Sequence, residues 1–176
     1  CLDPIGKLQG EKEFSLTPEL YGNFLIELFE LWEIDLKQGK QPYIRQFENY
    51  ISILLGYMPE ACEQRGICSF QNVVEADGSV YPCDFYVLDE YNLGNLNENS
   101  FEEIQKKRNA IQFVENSCNH LSECKECEYF FICRGGCRKH RDNMGVMDGK
   151  NRFCQSYRMF FDACLSRMVE ISKRCR

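Results

Sequence analysis

The sequence predicts an α+β fold with a small cysteine-rich centre. Apolar residues recur at helical spacing near both ends of the chain, and two short apolar runs flank a glycine-containing turn in the middle. Between and beyond those runs the chain is dense in sulfur: 12 of 176 residues are cysteine, against 2 histidines. That length supports one or two compact domains. Hydrophobic residues at 44% and charged residues at 27% place the chain among folded globular proteins rather than disordered ones. No run of about 18 apolar residues occurs, so no membrane helix is expected. A formal charge of -6 argues against a basic face for nucleic acid.

Taken in order, residues 1–16 read as the end of a strand and a polar loop. Thr17 then supplies an N-cap, with Pro18 at the first helical position. Leu20, Phe24, Leu28, Leu31 and Trp32 follow at helical spacing, widened by Tyr21, Leu25 and Phe29, so a core-facing helix is expected up to a stop at Gly39. Tyr43-Ile44-Arg45 is a short strand candidate. Phe47, Tyr50, Ile51, Leu54 and Leu55 form a second, shorter helix face ending near Gly56. Residues 68–75 and 80–84 read as two strands joined by the turn Ala76-Asp77-Gly78-Ser79, which sets Cys68 and Cys83 toward the open ends of one hairpin. Ser100-Phe101-Glu102-Glu103 is a capping box that opens a helix to about residue 113. Residues 118–154 are rich in Cys, Gly and charge. A closing helix spans about residues 155–173, with Tyr157, Phe160, Phe161, Cys164, Leu165 and Met168 on its apolar face.

Eight cysteines form a pattern. The first group is Cys62-x5-Cys68-x14-Cys83, and the second is Cys124-x2-Cys127-x5-Cys133-x3-Cys137, followed by Cys154. A C-x2-C pair lets two thiolates converge while intervening backbone amides stabilise their charge. Arg134-Gly135-Gly136 before Cys137 allows close backbone approach. The run Tyr129-Phe130-Phe131-Ile132 can shield a site from water or simply fill a core. Spacing alone leaves three chemistries open: two four-iron clusters with four thiolates each, zinc, or disulfides. Zinc sites can be drawn from Cys124, Cys127, Cys137 and His140, or from Cys124, Cys127, Cys133 and Cys137. His120 and His140 otherwise read as packing or surface residues. Cys164 is expected in the core, Cys118 and Cys175 on the surface, and Cys1 against chain that precedes it.

Gly78-Ser79-Val80-Tyr81-Pro82-Cys83-Asp84-Phe85-Tyr86-Val87 resembles the signature segment of anaerobic sulfatase-maturating enzymes. These are radical S-adenosylmethionine enzymes with a C-terminal SPASM domain. Cys124 through Cys137 is similar to the rest of the SPASM pattern, and Phe153-Cys154-Gln155-Ser156-Tyr157 resembles its closing element. The likeness covers residues 62 to about 161.

The resemblance implies two [4Fe–4S] clusters, one on Cys62, Cys68, Cys83 and Cys137, the other on Cys124, Cys127, Cys133 and Cys154. It implies that Asp84 is the base in the oxidation of a sulfatase Cys or Ser to Cα-formylglycine. S-adenosylmethionine and a third [4Fe–4S] cluster are expected only in a preceding barrel, because no C-x3-C-x2-C triplet occurs; the position three after Cys137 is His140. Residues 1–61 are then the end of that barrel with linking helices, and residues 62–176 the SPASM domain with its closing helix. Such a chain binds clusters but does not catalyse alone. The implied partners are a sulfatase polypeptide and an electron donor or acceptor protein, with neither nucleic acid nor membrane, in a cytoplasmic monomer. Competing readings are a SPASM domain of another peptide maturase, a free ferredoxin-type electron carrier, and a zinc-stabilised interaction module.

Overall fold

The computed structural model describes residues 14–142 and 149–175. Cys1 and nearly all of the expected strand end and loop over residues 1–16 lie outside the described residues.

Helix α1 (Pro18–Lys37) starts as its sequence directs: Thr17 Oγ1 accepts the Leu20 N–H at 3.2 Å, and Pro18 occupies the first turn. It stops just before Gly39, whose φ is +77°. Its buried side is Gly22, Leu25, Phe29 and Trp32. The expected core stripe is corrected in part, because Leu20, Phe24 and Leu31 lie on the other side and are 60%, 54% and 64% exposed. Tyr43-Ile44-Arg45 forms no strand. Ile44 is instead the N-cap of α2 (Arg45–Leu54), and its extended backbone leads into that helix.

After the one-turn helix α3 (Cys62–Arg65) comes a small antiparallel sheet of β1 (Val73–Val74), β2 (Ser79–Tyr81) and β3 (Gly94–Asn95), in that order. Val74 pairs with Val80, and Val80 with Gly94. The hairpin sits at the predicted turn, with the Ser79 N–H held by Asp77 Oδ1 at 2.9 Å. Its strands are shorter than expected because the flanking amides are committed elsewhere. Cys68 N donates to Ser117 Oγ at 2.8 Å, and Tyr86 N to Cys83 O at 2.9 Å, which turns residues 84–86 into a single 3-10 turn.

The capping box opens α4 (Phe101–Ile111): the Ser100 N–H donates to Glu103 Oε2 at 2.8 Å and Glu103 N–H to Ser100 Oγ at 3.3 Å. Four one-turn helices follow, α5 (Phe113–Asn116), α6 (Ser122–Lys125), α7 (Phe130–Cys133) and α8 (Arg138–Arg141), before the long closing helix α9 (Cys154–Arg174).

Helices α1, α2 and α9 bury a shared aromatic core. Phe29, Phe47 and Phe160, one from each helix and all 0% exposed, meet at ring separations of 5.4 to 5.9 Å. Each such ring contributes roughly 3–5 kcal/mol against truncation to alanine. Ile132 of α7 enters the same core, so the cysteine-rich segment is anchored to the helical layer. Cys164 is fully buried there as well. A smaller core of Val80, Leu93 and Ile104 joins the sheet to α4.

Candidate metal centres

All eleven described cysteines are free thiols, so the disulfide reading is not met among them. The three thiols of the first sequence group stay together and are joined by Cys137 of the second. One cavity is lined by Cys62, Cys68, Cys83 and Cys137. A second, of about 130 Å³, is lined by Cys124, Cys127, Cys133 and Cys154.

In the first cavity, Cys62 opens α3 and Cys68 follows it after a tight reversal at Gly66, whose φ is +71°. A Cβ at Gly66 would fall on the Arg134 carbonyl, so this loop lies directly against the segment carrying Cys133 and Cys137. Cys83 follows β2, and Cys137 is the N-cap of α8. Asp84 is exposed at the cavity mouth, where its Oδ1 accepts the Cys83 thiol at 3.3 Å.

In the second cavity, Cys124 comes from α6, Cys133 ends α7 and Cys154 is the first residue of α9. Tyr129, Phe130, Tyr157 and Phe161 form its apolar wall. Phe131, also read as a shield, is instead 52% exposed, because a one-turn helix sends successive side chains to different sides. Arg158 Nη1 lies 3.8 Å from Cys127 Sγ, and Lys150 stands at the rim, paired with Glu123 at 3.3 Å.

Three consecutive residues, Arg134, Gly135 and Gly136, take φ of 50°, 77° and 70°. This left-handed stretch turns Cys133 and Cys137 toward different cavities. Backbone amides reach the sulfurs as the glycine-rich spacing suggested, from Gly135 to Cys133, Lys139 to Cys137 and Phe85 to Cys83. Burial nonetheless pushes the thiols of Cys83, Cys133 and Cys137 up to about 12. Cys68, Cys124 and Cys154 move the same way, also chiefly through burial. A bound metal centre would have to displace those protons, the usual coupling of thiolate ligation to pH.

The zinc arrangements fare differently. Cys137 and His140 line the first cavity, while Cys124 and Cys127 line the second, so neither drawn zinc site is assembled. His140 packs edge-on against Phe153, with ring centres 5.0 Å apart, and burial lowers its pKa to about 4. Among the described residues, no three His, Cys, Asp or Glu side chains converge on a single ion. Four thiols around a hollow with room for several atoms fit a polynuclear group better than one ion held at about 2.3 Å from each sulfur.

Sequence reasoning missed two features. Tyr157 donates from the wall of the second cavity to Glu63 Oε1 in the first at 2.6 Å, so one hydrogen bond spans the partition. Burial raises the pKa of Glu63. In Arg138-Lys139-His140-Arg141, two arginines are 3% exposed. Arg138 lies 4.3 Å over the Phe113 ring within a trio completed by Tyr86 and Tyr91. Nothing in the basic run itself signals the burial of these arginines, because such a run on one turn is ordinarily a solvated face.

The family described as "SPASM: Iron-sulfur cluster-binding domain" matches residues 62–128. Of the eight candidate ligands, that span holds Cys62, Cys68, Cys83, Cys124 and Cys127; Cys133, Cys137 and Cys154 lie beyond it. The chain is 41% identical to a cysteine-type anaerobic sulfatase-maturating enzyme of Clostridium novyi, across 98% of this chain and 46% of that protein. A cysteine-type enzyme of Clostridium perfringens is 38% identical over all of the chain and 48% of its own length. A solved structure, "Native anSMEcpe with bound AdoMet", superposes with a TM-score of 0.92 at 39% identity, covering 100% of this chain and 49% of that one. The chain carries a SPASM iron–sulfur cluster-binding domain and is similar along nearly all of its length to part of a cysteine-type anaerobic sulfatase-maturating enzyme. It spans about half the length of the curated relatives it matches. The matched span contains the hairpin and part of the lining of both thiol cavities, and no described helix is long and apolar enough to cross a membrane.

Proposed function

We propose that this SPASM domain holds two [4Fe–4S] clusters, one on Cys62, Cys68, Cys83 and Cys137 and the other on Cys124, Cys127, Cys133 and Cys154. The observation that carries the reading is the sorting of eight unbridged thiols into two sets of four, each around its own cavity. The amides aimed at the sulfurs and the aromatic wall support it. When bound, the clusters supply one-electron acceptors beside the oxidation they serve.

The full-length protein converts a Cys or Ser of a sulfatase polypeptide to Cα-formylglycine, with S-adenosylmethionine and a third cluster held by chain outside the sequence described. Three relatives at 41%, 38% and 37% identity are cysteine-type, which favours a Cys target. A solved neighbour, "Native anSMEcpe with bound AdoMet and Cp18Cys peptide", carries a peptide; the corresponding ligand here is the sulfatase segment. Asp84 takes the thiol or hydroxyl proton of the target residue, while the target's Cβ gives up a hydrogen atom to the radical that S-adenosylmethionine would supply and one electron departs to an acceptor protein; a Ser target is then the aldehyde, and a Cys target is a thioaldehyde that water hydrolyses to the aldehyde with release of hydrogen sulfide. Its place at the mouth of the first cavity supports that role. Residues 1–61 close the preceding barrel, and the exposed apolar side of α1 (Leu20, Phe24, Leu31 and Ile34) is the face such a barrel would cover. Free thiols at all the described cysteines suit a reducing cytoplasm, and a monomer suffices because both cavities are built from one chain.

The test is iron and acid-labile sulfide content of the chain, purified and reconstituted without oxygen. About eight of each per chain, with broad absorption near roughly 400 nm, is expected. About one or two zinc and no sulfide after reconstitution would overturn the cluster reading.

A further inference from the structure

Arg141 is 3% exposed, yet among the described residues no carboxylate pairs with it. Its guanidinium is held by neutral groups alone. Nη1 donates to Asn119 O at 2.7 Å and lies 3.2 Å from His120 Nδ1, while Nη2 donates to Ser117 O at 2.7 Å and Gly66 O at 3.3 Å. Its Nε is buried without a partner. A guanidinium keeps its charge under all ordinary conditions, and a buried charge without a counter-ion is expensive. The groups of opposite tendency that act on it are the thiols of Cys68 and Cys137 and the Tyr86 phenol. The contacts lead to the same place: Gly66 is two residues before Cys68, and Ser117 also accepts the Cys68 N–H.

The second cavity is built otherwise. Its cations are Lys150 and Arg158, whose side chains are 55% and 52% exposed and which pair with Glu123 and Glu128. Water and carboxylates screen both. The first cavity has two buried arginines beside it, Arg138 in its lining and Arg141 behind Cys68, and of these Arg141 has no carboxylate partner among the described residues; buried cations there and exposed, paired cations at the second cavity cannot act equally on the groups those cavities hold.

We propose that Arg141 is a buried counter-charge of the cluster bound by Cys62, Cys68, Cys83 and Cys137, and that it raises that cluster's reduction potential relative to a neutral residue at the same place. This rests on the two-cluster reading above. Reduction adds one electron and no proton, so the cluster becomes more anionic and a nearby buried cation favours the reduced form. Arg141 is a positioning and tuning residue: it touches no substrate.

The experiment is an anaerobic redox titration of the reconstituted full-length protein, followed by electron paramagnetic resonance. In Arg141→Gln, whose amide can still donate to a carbonyl, one auxiliary cluster should shift to a more negative midpoint. The expected size is about a tenfold rise in its oxidised-to-reduced ratio at the wild-type midpoint, about 59 mV for a one-electron couple. The other clusters should hold. Arg141→Lys, which keeps the charge, should stay near wild type. An iron-replete Arg141→Gln protein with unmoved midpoints, or with all clusters shifted alike, overturns the proposal. Because that variant can lose iron through lost loop contacts, His120→Asp provides the second arm. It leaves Arg141 in place and sets a carboxylate against Nη1, so the same negative shift is expected, and no shift overturns the proposal. Iron content of the wild type reports separately on the two-cluster reading.

Discussion

Asp84 and Cys83 are neighbours to which the proposed function gives different tasks. Cys83 turns its sulfur into the first cavity, and the next side chain stands exposed at the mouth, free to meet a substrate. Asn has the same shape and can still accept a hydrogen bond, but it cannot take a proton. Asp84→Asn in the full-length protein should therefore lower formylglycine formation by about 100-fold or more, the usual worth of a general base, with iron and sulfide content unchanged. Mass spectrometry of a target peptide reads the product, and near-normal turnover would remove Asp84 from the mechanism. At this scale the sequence was informative about which residues matter and poor about which meet. The spacing marked eight thiols but left their partition open, because residues as close as Cys133 and Cys137 part company only through three consecutive positive φ angles. Nothing in residue type predicted that Tyr157 would reach Glu63, since both lie at chain positions with other plausible roles.

Elements began where local chemistry dictated and ended where tertiary contacts allowed. The caps at Thr17 and Ser100 were legible because a single side chain satisfies the first free amides. The strands were overestimated because alternation says nothing about amides that bond to Ser117 or to a turn carbonyl. Helix α1 was misread in part because it is apolar on two sides, and a periodic stripe does not say which side the local chain covers. Close approach between elements gives a graded prediction. Gly39 and Gly66 have similar φ, +77° and +71°, but a Cβ at Gly39 meets nothing within 4 Å while one at Gly66 meets the Arg134 backbone. Gly39→Ala should cost only the left-handed strain, about 1–2 kcal/mol. Gly66→Ala adds overpacking of about 1–3 kcal/mol and should lose the larger amount. Anaerobic urea titrations of both variants decide this; equal losses would mean that the loop around Gly66 yields freely.

At the scale of the whole molecule, a helical layer of α1, α2 and α9 carries the cysteine-rich part through Ile132 and through Cys154, which is at once a cavity residue and the start of α9. The left-handed segment from Arg134 to Gly136 then has a consequence for how the molecule is assembled. Cys133 and Cys137 serve different cavities, so seating either one restricts the short tether between them and pre-pays the ordering cost of the other. Filling should be cooperative. In native mass spectrometry of the chain during stepwise reconstitution, empty and doubly loaded species should dominate, with singly loaded protein scarce throughout. Inserting two flexible residues between Gly135 and Gly136 should break the linkage and let the half-filled form accumulate. A wild type that fills in two independent stages would show that the tether transmits nothing.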